Sequence, residues 1–120
     1  SRTDIPRAPG VYLWFRDGQP VYAGRAKGAG GLRERLAAHL AHTTDLSRST
    51  FRATVATVTL GIDRKHARSR PSVLSAEQVA IVNEWIRVCQ VGWIECRSAA
   101  EAILLEEALL GEAQPPLNRR

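Results

Sequence analysis

Val11-Tyr12-Leu13-Trp14-Phe15, Arg16-Asp17-Gly18-Gln19-Pro20 and Val21-Tyr22-Ala23-Gly24 follow one another without a break. The outer segments are aromatic and β-branched, and the middle one carries Asp, Gly and Pro, so the stretch reads as strand, turn and strand. Tyr12 and Tyr22 are each the second residue of their strand. If the hairpin register allows, their hydroxyls meet on one face. Taken alone, the plainer account is two half-buried core aromatics with hydroxyls reaching water.

Working outward, Gly28-Ala29-Gly30-Gly31 precedes Leu32-Arg33-Glu34-Arg35-Leu36-Ala37-Ala38-His39-Leu40. Leu32, Leu36 and Leu40 recur every fourth residue and make the apolar stripe of a helix. Arg35 and His39, also four apart, are neighbours on another stripe. A guanidinium offers forked donors to a phosphodiester, and an imidazole takes or gives a proton near neutral pH. A solvated basic helix face accounts for the same two residues without chemistry.

Near the other end, Ser98-Ala99-Ala100-Glu101 has the form of a capping box and predicts a helix from there to about Ala113. Glu106 then falls among Ala102, Leu109, Leu110 and Ala113, whereas Glu101, Glu107 and Glu112 fall toward the polar side. A carboxylate in an apolar stripe is costly unless a cation, a proton or several donors offset its charge. A metal ion does this. So does a buried Arg, or a route to a near edge.

Taken together, these residues resemble a GIY-YIG nuclease domain, the module of phage homing endonucleases, some restriction enzymes and the nucleotide-excision-repair incision subunit. Gly10-Val11-Tyr12 stands for the first motif and Tyr22-Ala23-Gly24 for the second, with Ala23 in place of a larger aliphatic residue. Arg35 and His39 match the helix pair, and Glu106 and Asn118 match the late Glu and Asn. The resemblance covers about residues 5–40 and 91–118. It implies an α+β fold, a small three-stranded antiparallel sheet flanked by helices. It also implies a divalent-metal-dependent endonuclease hydrolysing phosphodiester bonds in DNA, in restriction, repair or mobility.

By that resemblance Glu106 holds one Mg²⁺ or Mn²⁺ ion, Tyr12 or Tyr22 handles the attacking water, and Arg35 stabilises phosphoryl charge. His39 relays a proton. Arg25 and Asn118 support the site. Gly28–Gly31 lengthens the loop before the helix, which either moves Arg35 relative to the tyrosines or holds a phosphate with backbone amides.

About residues 43–90 match no family motif and read as a mainly helical insertion. Phe51, Val55, Val58 and Ile62 fit a helical stripe, although Thr54-Val55-Ala56-Thr57-Val58-Thr59 is β-branched enough for a strand. Asp63 to Pro71 reads as a mobile basic loop carrying Arg64, Lys65, His66, Arg68 and Arg70. It either contacts nucleic-acid backbone or is a solvated connector. Ser75-Ala76-Glu77-Gln78 opens another capped helix, with Val79, Val82, Ile86 and Cys89 on one side and Trp85 in the core. Val91 to Arg97 alternates as a third strand.

With 120 residues, 44% of them hydrophobic, the chain is expected to be one domain that folds without disulfide or structural metal. Lys and Arg number 17 against 12 acidic residues, a net charge of +5 that favours a polyanionic partner. Arg25, Lys27, Arg33, Arg64, Lys65, Arg68 and Arg70 are the expected nucleic-acid contacts. No long apolar run or anchored amphipathic helix points to a membrane. Cys89 and Cys96 have no zinc spacing and read as reduced thiols in an intracellular, cytoplasmic protein. The sequence has no Met, so it is expected to be a domain of a longer chain. Outside the nuclease class, the alternative is a catalytically idle nucleic-acid-binding module; within it, an RNA-directed nuclease or toxin domain.

Overall fold

β1 (Gly10–Arg16) and β2 (Gln19–Ala26) form an antiparallel hairpin closed by Asp17 and Gly18. Both turn residues have positive φ, 52° and 77°, the mirror-image turn whose twist matches paired strands and which Asp-Gly favours. The structure is a computed structural model and describes residues 4–43 and 45–118. The remaining elements are α1 (Gly31–Leu40), α2 (Thr50–Leu60), α3 (Arg64–Ala67), α4 (Ala76–Arg87), β3 (Gln90–Glu95), α5 (Ala99–Ala113) and a final 3₁₀ turn, Pro116–Asn118. They make up two compact units. One holds the chain up to Ala37 and from Cys89 onward, and the other is Ala38–Val88.

The first unit is the sheet, in the order β2-β1-β3 with all pairs antiparallel, as the family resemblance implies. Because side chains alternate along a strand, Tyr12 and Trp14 share a face, joined by Tyr22, which pairs directly with Trp14. Val11 and its partner Arg25 take the opposite face. There Val11, Cys96 and Ala102 form a buried cluster with Leu105 and Leu109 of α5. Leu32 and Leu36 of α1 are fully buried as their spacing predicts, each such side chain contributing roughly 1.5–3 kcal/mol.

The second unit is helical. Thr54, Thr57 and Thr59 donate their hydroxyls to the carbonyls of Thr50, Thr54 and Val55 at 2.7–2.9 Å. Such back-bonding satisfies threonine hydroxyls within a helix, so a β-branched stretch need not be a strand. Ser49 caps α2 by accepting from Arg52 N at 3.0 Å, and Gly61 ends it at φ 68°. α4 has a full capping box between Ser75 and Gln78. Phe51 is buried and meets Trp85 edge-on at 6.4 Å. Arg52 is also buried, its Nη2 donating to Thr43 O at 2.7 Å and Asn83 Oδ1 at 3.0 Å.

Four details differ from the sequence expectation. Val58 is 58% exposed and Ile62 lies beyond Gly61, because α2 buries the continuous stretch Phe51 to Ala56 rather than one stripe. The segment expected as a loop contains α3, started by Asp63, whose carboxylate accepts from His66 N at 2.7 Å. Ser98 caps α5 by accepting from Glu101 N, but the Glu101 carboxylate accepts from Arg97 N at 3.1 Å, so the capping box is shifted by one residue. Finally, Trp85, expected in the core, is half-buried.

Candidate active site

Gly10 and Gly24, the motif glycines, are there for close approach. A Cβ on Gly24 would lie 2.2 Å from Tyr12 Oη, and one on Gly10 would lie 2.4 Å from Ile94 O. No ordinary side chain tolerates either distance. Gly24 thus lets the Tyr12 ring lean across β2, and Gly10 lets β1 sit closely between β3 and Leu32.

Tyr12 is almost wholly buried. Burial pushes its phenol well above the ordinary range, and Tyr22 pushes the same way. Arg35 opposes both, lying near and donating a hydrogen bond to the phenol, while Glu106 adds a smaller upward push. Tyr22, Arg35 and, more weakly, Glu106 are thus near enough to act on the Tyr12 phenol, and the two tyrosines share a face because Tyr12 stands opposite Gly24 and Tyr22 opposite Trp14.

Glu106 is buried in the α5 stripe, as its helical phase predicts. Its Oε1 accepts from Arg25 Nη1 in an ion pair. The paired guanidinium offsets the carboxylate's desolvation. Asn118 closes the site from the end of the chain: Ala23 N donates to its Oδ1 and its Nδ2 donates to Ala23 O, both at 2.8 Å. One side-chain amide thereby takes up both main-chain groups of the residue between Tyr22 and Gly24. Sequence reading named Arg25 and Asn118 but not these partners, which lie 81 and 95 residues away.

Of the glycine loop, the Gly31 amide is engaged by main chain, as are the amides that follow it. Gly31 N donates to Gly28 O, Leu32 N to Ala8 O, Arg33 N to Pro6 O and Glu34 N to Gly30 O, at 2.9–3.3 Å. The amides at the start of α1 are thus taken by main chain. Arg33 is also engaged, its Nε donating to Ile5 O at 2.8 Å, whereas Lys27 is exposed.

His39 lies in the second unit and is fully buried. Its Nδ1 is 2.5 Å from Ser49 Oγ, and its ring meets Phe51 edge-on at 5.7 Å. Arg64, Lys65, Arg68 and Arg70 are exposed in the same unit. Cys89 and Cys96 are not joined to each other by a disulfide.

Among the described residues no group of three or more His, Cys, Asp or Glu could enclose a metal ion. A single buried carboxylate suits an ion that keeps most of its waters and binds one or two carboxylates plus substrate phosphate, the habit of Mg²⁺. Glu106, unusual in its stripe and paired with one cation whose side chain is 35% exposed, fits that requirement.

Among curated proteins none matches this chain. Among solved structures, the magnesium-bound GIY-YIG N-terminal endonuclease domain of UvrC from Thermotoga maritima is 21% identical, with a TM-score of 0.52 over 98% of this chain and 91% of that one. Its cation-bound variants with a Tyr-to-Phe and an Asn-to-Ala replacement are each 22% identical, with TM-scores of 0.52 and 0.53 over 99% of this chain and 91% of theirs. At such identities the likeness establishes the fold. The match to the family described as GIY-YIG catalytic domain runs over residues 11–120. Nearly the whole sequence lies inside it, and the chain belongs to the GIY-YIG catalytic domain family.

Proposed function

We propose that the chain is a divalent-metal-dependent endonuclease that hydrolyses phosphodiester bonds in DNA. The observation that carries this reading is the buried Tyr12 phenol, hydrogen-bonded to Arg35 on the face it shares with Tyr22, together with the buried Glu106 carboxylate on α5. The magnesium-bound relative supports Mg²⁺, with Mn²⁺ as its substitute, and Glu106 is the residue that would hold one ion. When bound, the ion supplies Lewis-acid polarisation of the scissile phosphate and stabilisation of the leaving oxygen.

The protein's own residues do the rest. Arg35 donates to developing phosphoryl charge. Tyr12, a protonated phenol already hydrogen-bonded to Arg35, orients the attacking water through its oxygen, and the proton that water loses passes to solvent or to a phosphate oxygen. Tyr22 hydrogen-bonds the phosphate from the same face. Arg25, released from Glu106, takes a phosphate oxygen, and Asn118 holds Ala23 so that Tyr22 and Arg25 keep their aim. For His39 a positioning role replaces the relay expected from sequence, because its ring is buried against Ser49 and Phe51. In this reading the whole chain is one catalytic domain with about residues 43–90 as a helical insertion, acting in the cytoplasm. No described helix is long and apolar enough to cross a membrane.

The test is supercoiled plasmid incubated with the purified chain in Mg²⁺, Mn²⁺ or EDTA beside Glu106→Ala. Cutting that needs metal and vanishes in the variant supports the nuclease; cutting that persists in EDTA or in the variant sinks the metal role. The Arg25–Glu106 pair, which satisfies the carboxylate without metal, favours the idle binding module as second reading. That module binds DNA and cuts nothing in any metal. Preference for a matched RNA over DNA would redirect the substrate.

A further inference from the structure

In the second unit, two stretches apart in sequence come together. Arg68 Nη2 donates to Ser47 O at 3.3 Å. Asp45 is held below the ordinary carboxyl range first by the Ser47 hydroxyl and amide, and also by the nearby charges of Arg70 and Arg48. Arg64 Nη2 donates to Thr54 Oγ1 at 3.3 Å. α3 is pinned at its start by Asp63 and at its end by Arg68 N donating to Arg64 O at 3.0 Å. The Arg64 and Arg68 side chains therefore stand on built structure.

Arg48, Arg64, Lys65, Arg68 and Arg70 are all exposed, and among the described residues none forms an ion pair. The two carboxylates within the same stretches, Asp45 and Asp63, already accept hydrogen bonds from Ser47 and from His66 N. In the same unit, buried Arg52 is held by the neutral acceptors Thr43 O and Asn83 Oδ1, and among the described residues its Nε has no hydrogen-bond partner. Five exposed cations against two carboxylates leave this stretch with excess positive charge, which suits the regular phosphates of a nucleic acid. A lipid surface is a poorer fit, because α3 is Arg64-Lys65-His66-Ala67 and lacks the bulky apolar anchors that interfacial helices insert.

We propose that this face is a second, metal-independent docking surface for the duplex backbone, formed by Arg48, Arg64, Lys65, Arg68 and Arg70. The proposal rests on the nuclease reading for its choice of DNA. It assigns the helical unit a share of affinity separate from the Tyr12 and Glu106 site.

The experiment is fluorescence anisotropy of a labelled duplex of arbitrary sequence with the whole chain in EDTA, titrated with salt. It compares wild type, a variant with Arg64, Lys65, Arg68 and Arg70 each changed to Gln, and a control with Arg87→Gln and Arg97→Gln. The control cations already pair with Glu84 and Glu101. Removing four phosphate contacts should lower the slope of log K against log salt by about 3 to 4, and the control should leave it unchanged. Should circular dichroism show the fourfold variant unfolded, Lys65→Gln with Arg70→Gln should still lower the slope by about 2. Slopes equal to wild type overturn the surface, as does binding to phosphatidylserine vesicles without binding to duplex. Wild type that docks through this face but leaves plasmid intact in Mg²⁺ sinks the nuclease reading and keeps the surface. Cutting with an unchanged slope does the reverse.

Discussion

Arg25 on β2 and Glu106 on α5 form an ion pair across 81 residues of sequence, so the carboxylate expected to hold a metal ion already has a cation. An ion arriving at Glu106 must compete with the Arg25 guanidinium. Arg25→Gln should then bind Mn²⁺ more tightly than wild type in the absence of DNA, by up to about fivefold, since a partly exposed pair is worth about 1 kcal/mol. Isothermal titration with Mn²⁺ measures this directly. Equal or weaker binding by the variant would mean that the pair does not stand in the ion's way.

Asn118 and Ala23 give a second prediction. Each hydrogen bond of their two-pronged contact contributes roughly 0.5–1.5 kcal/mol net. Asn118→Ala should lower the unfolding free energy by about 1–3 kcal/mol, read by urea denaturation. Asn118→Asp should recover only part, because a carboxylate can accept from Ala23 N but cannot donate to Ala23 O. Equal stability of all three proteins would refute the clasp.

What could be read from sequence was local. Asp17-Gly18 between alternating apolar runs announces its turn within two residues, and Ser98 with Glu101 announces α5. The phase of Glu106 in its helix follows from counting. What could not be read depends on distance and on packing. Nothing near Arg25 or Asn118 says which residue 81 or 95 positions away it will meet. The α2 stripe failed at Val58 because burial of the helix is decided by what packs around it, and its first half is enclosed on all sides. His39 matched a motif position, yet its neighbour Ser49 lies on an element with no motif at all.

The buried phenol of Tyr12 predicts a pH effect. Its folded-state pKa lies above the ordinary unfolded value of about 10, raised by burial and by Tyr22 against the pull of Arg35. Above about pH 10 the unfolded chain loses this proton more readily than the folded one, so stability contributed below that pH falls as pH rises toward the folded pKa. Tyr12→Phe should flatten the alkaline limb of the stability curve. Ultraviolet titration of folded protein should show a late-titrating phenol in wild type that is missing from the variant. A variant with the same alkaline limb and the same late phenol would show that Tyr12 is not the shifted group.

Ser49 does two things at once, capping α2 through Arg52 N and meeting His39 Nδ1. Losing the cap is worth about 1 kcal/mol, and leaving a buried ring nitrogen without this partner adds about 1–3 kcal/mol. Ser49→Ala should therefore lose about 2–4 kcal/mol in urea denaturation. His39→Gln should be destabilised too, but changing both together should add much less than the sum, since each change already breaks the shared contact. Cleavage per folded molecule supplies the second readout. A positioning role predicts a loss below about tenfold for His39→Gln, because removing a proton relay typically forfeits 10²–10⁴-fold. A loss in that larger range, with folding intact, would return His39 to the chemistry and make Ser49 its orienting partner.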